Sequence, residues 1–177
     1  MNVGNPPRMK GPTVSAAHLA AAIAAVVAMD IGQKEQVCHR VHAEQPSLLA
    51  SVLALPRLSV SMLTVDVLLN VLIVLTLAVD ISGQRLATVT DVDQERELQR
   101  LVAIMRFSEG LDATSMVQSI QQTTACRHES YLLAHVVDTL RRAGLTDTRV
   151  EAAKYPILAA INLVNCLATA KRLRSRS

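Results

Sequence analysis

The feature that most constrains this chain is the run from Val67 to Val79, which is apolar around its whole helical circumference. Asp66 and Asp80 bound the run on either side. A helix that is hydrophobic on every face lies either in the centre of a large domain or within a membrane. The run is shorter than the roughly 20 apolar residues of a membrane span, and a backward extension would carry Asp66 into hydrocarbon. We therefore predict a buried central helix at about residues 61–81, with membrane insertion as the alternative.

The rest of the chain carries helix boundaries instead of strand patterns. Ser15 and Pro46 are suited to helix starts, and Gly83 and Gly144 are suited to helix ends. Apolar and polar residues do not alternate over more than a few positions, except near residues 86–92, so no β-hairpin is predicted. These patterns predict an all-α fold, in which one domain forms a bundle of about six to eight helices around the apolar central helix.

The two ends of the chain differ in composition from its body. Residues 1–12 are rich in proline and glycine and have no periodic pattern, so they resemble a flexible lead-in. We expect a flexible tail at 1–12, a helical domain at 13–173 and a basic tail at 174–177. The basic residues that crowd the C-terminus are predicted to be solvated; they are Lys171, Arg172, Arg174 and Arg176.

The charge balance argues against a nucleic-acid partner. The formal net charge is +3, and aromatic residues, which stack on single-stranded bases, make up 2% of the chain. The basic candidates, 171–176 and the pair Arg141 and Arg142, suit phosphate contacts that do not read a base sequence. We therefore expect no specific nucleic-acid partner, and a DNA-binding regulator is a minor alternative.

The stretch from Gly11 to Met29 carries no formal charge. It fits a secretory signal peptide or a packed helix. We favour the packed helix because Leu19, Ile23 and Val26 recur at helical spacing.

Three cysteines, Cys38, Cys126 and Cys166, form a sparse and odd-numbered set without CxxC spacing. Small secreted domains that depend on disulfides are not built in this way. We therefore expect a reducing, cytoplasmic location. Cys166 lies in an aliphatic helical run and is predicted to be a small buried hydrophobic residue.

A zinc site is the most specific chemistry that the sequence suggests. Cys38 and His42 are four residues apart and share a helix face, and Cys126 and His128 are the candidates for the other two ligands. The second pair has a spacing that points to opposite sides of a helix. Exposed histidines and ordinary buried cysteines are therefore the favoured interpretation, and no metal or cofactor is expected.

No nucleotide-binding or metalloprotease motif occurs, and nothing in the sequence places a third group beside a Cys–His or Ser–His pair. The acidic stretch 91–97 is interpreted as the solvated first turn of a helix. The chain is therefore not expected to be an enzyme. We expect a helical module for protein–protein interaction or regulation that binds itself, most simply as a dimer, or another protein. The alternatives are a membrane-associated helical protein and a small helical enzyme or metal-binding protein.

The chain has more apolar helix surface than one small bundle is expected to bury, which predicts an exposed apolar face. Leu158 and Leu163 are expected to face the core of the same chain. The alternative surface is the alanine-rich first helix. The first choice for a self-association surface is the C-terminal helix, through Ile157, Ile161, Val164 and Leu167.

Overall fold

The computed structural model of the protein describes residues 13–107, 129–146 and 151–173. Within them, a short 3-10 helix spans Leu55–Leu58, and two short antiparallel strands, β1 at Arg85–Leu86 and β2 at Arg172–Leu173, pair with each other. The predicted all-α, single-domain fold is confirmed. The described part contains seven α-helices: α1 (Ala16–Ala28), α2 (Ile31–Glu44), α3 (Pro46–Leu53), α4 (Met62–Ile81), α5 (Asp91–Phe107), α6 (Ser130–Arg142) and α7 (Glu151–Thr169).

Helix α4 is the centre of the bundle, as predicted. The Ser61 hydroxyl caps its first turn by accepting a hydrogen bond from the Thr64 amide at 3.2 Å. Beyond Leu68, buried side chains point to every side of the helix, because α1, α2, α3, α6 and α7 all pack against it. An aliphatic surface on every face is what such a position requires.

Helix α7 is a second buried helix. Every residue from Ala160 to Leu167 is buried, because α5 covers one side while α4 and α6 cover others. Pro156 lies inside this helix and does not begin it. Two apolar helices at the centre let the bundle conceal more aliphatic surface than a single central helix could.

Two polar contacts define the directions of α1 and α2 relative to α4. The Gln84 side chain donates to the Thr13 carbonyl at 3.1 Å, so α1 begins where α4 ends. An ion pair of 2.8 Å joins Arg40, near the end of α2, to Asp80, near the end of α4. Helices α1 and α2 therefore run antiparallel and parallel to α4, respectively. We call the end of the bundle with Thr13, Gln84 and the two strands the polar end, and the opposite end, where α4 begins, the apolar end.

Glycines end two helices as expected. Gly83, with φ 75°, follows α4, and Gly144, with φ 69°, follows α6. Residues with side chains avoid this left-handed conformation, so glycine ends a helix there with little strain. Gly32, in contrast, lies in the first turn of α2, and Asp30 caps that helix.

Candidate interaction surface and polar cleft

The structure describes one of the two candidate pairs of zinc ligands. On α2, Cys38 is half-buried and His42 is exposed, while Cys126 and His128 lie outside the described residues. Among the described residues, no group of three or more His, Cys, Asp or Glu side chains could hold a metal ion. Burial, reinforced by the charge of Glu35, raises the pKa of the Cys38 thiol. A raised pKa disfavours the thiolate, which is the form that binds metals and attacks electrophiles.

The face of α7 that we expected to point outward is buried. Its neighbours α4, α5 and α6 together enclose the helix, so the prediction of an exposed apolar face here is wrong. Leu163 faces the core as predicted, and Cys166 is buried as predicted. The four residues that were predicted to form the self-association surface are each at most 9% exposed; they are Ile157, Ile161, Val164 and Leu167.

Large aliphatic side chains are exposed instead at the apolar end. Val27 lies in the last turn of α1, Ile31 begins α2, and Met62 and Leu63 begin α4. Each is between 69% and 83% exposed. Small residues on the outer side of α1 continue this exposed face toward the polar end; they are Ala17, Ala20, Ala21, Ala24 and Ala28. We call these nine residues the apolar surface.

A shallow groove between α1 and α2 adjoins the apolar surface. Its volume is about 490 Å³, and Ala25, Met29 and Val37 are among the residues that line it. Small side chains on α1 allow another helix to approach the backbone closely. The alternative prediction, which placed a surface on the first helix, therefore has an exposed face to act through.

A buried carboxylate ties distant parts of the chain together at the polar end. Glu129, which precedes α6, is 1% exposed. Its carboxylate accepts hydrogen bonds from the Thr13 hydroxyl, from the Val14 amide at 3.1 Å and from the Arg172 guanidinium at 3.0 Å. We call Thr13, Val14, Glu129 and Arg172 the clasp.

The clasp corrects the prediction that the whole basic C-terminal stretch is solvated. Arg172 belongs to β2, and its guanidinium is partly buried against Glu129. Burial lowers the pKa of Arg172, and the Glu129 charge opposes that effect. Arg141 and Arg142, the other basic candidates, both pair with Asp138 at 2.7 Å on their own helix.

A second correction concerns the acidic stretch 91–97. Asp91 and Glu95 are exposed as expected, but Glu97 is buried on the side of α5 and accepts a hydrogen bond from Arg100 at 2.9 Å. The interpretation as a solvated helix start therefore holds for the first turn and is wrong for Glu97.

A cleft of about 580 Å³ opens at the polar end between α2, the end of α4 and the two strands. Its rim carries two guanidinium groups, of Arg40 and Arg85, and two carboxylates, of Glu44 and Asp80. Burial raises the pKa of Asp80, although the neighbouring Arg40 opposes the shift. The cleft is therefore polar and charged at its rim, in contrast to the apolar surface at the other end.

The stability of the fold is expected to depend on pH through His135, which is half-buried on α6. Burial lowers its pKa, and this effect outweighs the attraction of Asp138 for the proton. The unfolded chain, with a histidine pKa near 6.5, then binds the proton more readily. The free energy of unfolding should therefore fall as the pH drops from about 7 to about 5. Urea unfolding at both values measures the change.

His135→Gln should remove this part of the pH dependence, whereas His39→Gln, at an exposed position of α2, should leave it in place. An identical pH dependence for the wild-type chain and His135→Gln would contradict the assignment.

No protein-family model, curated protein or solved structure matches this chain. Within the described residues, α4 alone is long and apolar enough to cross a membrane, with a mean hydropathy of 2.4. Of its apolar window, 61% is buried inside the domain. A core helix of a soluble protein has the same length and composition, so this is weak evidence for a membrane span.

Proposed function

We propose that this protein is a non-enzymatic helical interaction module that binds a second copy of itself through the apolar surface. The observation that carries the proposal is the exposure of Val27, Ile31, Met62 and Leu63 at one end of the bundle. Scattered exposed aliphatic residues are ordinary, but a group of them gathered at one end of a soluble domain usually marks an interaction site.

A second copy is the partner that this surface fits most simply. Self-association through one shared patch about a two-fold axis is the commonest form of soluble oligomer. The outer side of α1 supplies alanines, which would let the two copies of the helix lie close together. Another protein with a complementary apolar helix would use the same contacts.

The test is light scattering coupled to size exclusion at micromolar concentration. The wild-type chain is expected to have the mass of a dimer. Val27→Glu and Leu63→Glu should each weaken dimerisation by roughly tenfold or more, since burying one such side chain contributes about 1.5–3 kcal/mol. Val92→Glu is the matched control, because Val92 is 70% exposed on α5 but belongs to the polar end.

A strictly monomeric wild-type mass would overturn self-association, as would a Val92→Glu variant that disrupts the dimer as strongly as Leu63→Glu. The membrane alternative predicts a different result, namely a monomer that sediments with lipid vesicles and loses this property in Leu63→Glu. Ile161→Glu is unsuited to either test, since Ile161 is buried and the substitution would unfold the domain.

A further inference from the structure

The cleft at the polar end has the volume of a small-molecule site. Its volume of about 580 Å³ lies within the range of roughly 300–1,000 Å³ that ligand pockets occupy. Aliphatic side chains form part of its wall: Val79 and Leu167 are buried, while Leu86 and Leu173 come from the two paired strands. A ligand would therefore meet an apolar wall below a charged rim.

The four charged groups of the rim are not equally engaged. Arg40 and Asp80 satisfy each other in an ion pair of 2.8 Å. Within the described part of the chain, the Glu44 carboxylate and the Arg85 guanidinium form no ion pair or side-chain hydrogen bond, although both act electrostatically on Asp80. One anion and one cation on the same rim are thus available to a ligand.

Neutral polar groups complete the lining. Thr76 and Thr88 add hydroxyl groups, and the side-chain oxygen of Gln84 is buried without a hydrogen-bond donor among the described residues. The Gln84 amide nitrogen is already used, because it donates to the Thr13 carbonyl. The Gln84 oxygen is therefore an unsatisfied acceptor in a lining residue, enclosed by protein and not exposed to the cleft.

We propose that this cleft binds a small zwitterion with an aliphatic portion, its ammonium group held by Glu44 and its carboxylate held by Arg85. Free aliphatic amino acids and short aliphatic peptides share this chemistry. A guanidinium pairs with a carboxylate through two parallel hydrogen bonds, which makes arginine well suited to the carboxylate side of such a site. The cleft lies at the opposite end of the bundle from Val27, Ile31, Met62 and Leu63, so this proposal and self-association stand or fall separately.

Titration calorimetry on the full chain tests the proposal with four probes. L-leucine and Leu-Leu carry both charges, N-acetyl-L-leucine lacks the ammonium group, and L-leucinamide lacks the carboxylate. The two zwitterions are expected to bind, and the two blocked compounds should bind about tenfold or more weakly, because a hydrogen bond to a charged group is lost in each. Tighter binding of L-leucine assigns the site to amino acids, and tighter binding of Leu-Leu assigns it to peptides.

Variants locate the two contacts. Glu44→Gln should weaken the binding of the zwitterions about tenfold and leave the binding of N-acetyl-L-leucine unchanged. Arg85→Gln should weaken the binding of the zwitterions and leave the binding of L-leucinamide unchanged. Glu35→Gln, on the same helix as Glu44, and Arg57→Gln, in the 3-10 helix, are exposed controls that should change nothing. All four positions are exposed, so the variants are expected to fold.

Two results would overturn the proposal. One is the lack of saturable binding of both zwitterions at about 10 mM ligand, a concentration that covers even weak sites. The other is binding of the zwitterions that Glu44→Gln and Arg85→Gln weaken no more than the two control variants do.

Discussion

Glu129→Ala is expected to lower the free energy of unfolding by about 3 kcal/mol. Removing one partner of a buried ion pair costs roughly 3–5 kcal/mol, because the remaining charge loses its compensation. The lower value applies here, since the Arg172 side chain keeps 31% exposure and water can solvate it in part. The substitution also leaves the Val14 amide without its acceptor.

Urea unfolding followed by circular dichroism measures this effect. Glu95→Ala is the control, because Glu95 is an exposed glutamate on α5 and its loss should change the free energy of unfolding by no more than about 0.5 kcal/mol. Glu129→Gln keeps an acceptor but removes the charge, so its loss in the free energy of unfolding should lie between the losses in Glu129→Ala and Glu95→Ala. A loss below about 1 kcal/mol in Glu129→Ala would mean that the clasp contributes little to the stability of the fold.

Leu75→Ala in the central helix should cost about 3–5 kcal/mol. Leu75 is fully buried on α4, and the truncation removes buried methyl groups and leaves a cavity that the surrounding helices fill only in part. Leu63→Ala is a matched control with the same chemistry on the same helix, because Leu63 is 83% exposed. Its free energy of unfolding should change by no more than about 0.5 kcal/mol.

Both leucine variants are to be compared at a concentration where light scattering finds monomers, since dimerisation would add its own stabilisation. Equal losses in the two variants would contradict a central position of α4 in the domain.

The central helix could be predicted because a helix that is apolar on all sides lies either in the centre of a domain or within a membrane. The stretch 67–79 is shorter than a membrane span, and this length favoured the centre. Helix starts could be predicted because a cap is a contact between residues that are close in sequence. Ser15, for example, accepts from the His18 amide three residues later, at 3.2 Å.

The proposed self-association surface could not be placed from sequence, because an apolar helix face does not identify what covers it. Ile161 and Val164 have the same pattern whether they face solvent, a second copy or α5. The structure assigns the enclosed position to α7 and leaves Val27 and Leu63 exposed. These exposed residues lie in stretches that look equally apolar in the sequence.

The clasp was missed for a different reason. Glu129 and Thr13 are separated by 116 positions, and Glu129 and Arg172 by 43. No local periodicity links an acid before one helix to an arginine after another. Only the packing of α1, α6 and β2 at one end of the bundle brings them into contact.

The clasp also determines where anything fused to this domain would emerge. Thr13 and Arg172 contact the same carboxylate, so extensions that precede Thr13 and extensions that follow Leu173 both leave from one end of the bundle. Leu173 itself lines the cleft. The chain therefore enters and leaves the described domain beside the cleft and far from Val27 and Leu63. Ligand titrations therefore call for a chain without a terminal tag.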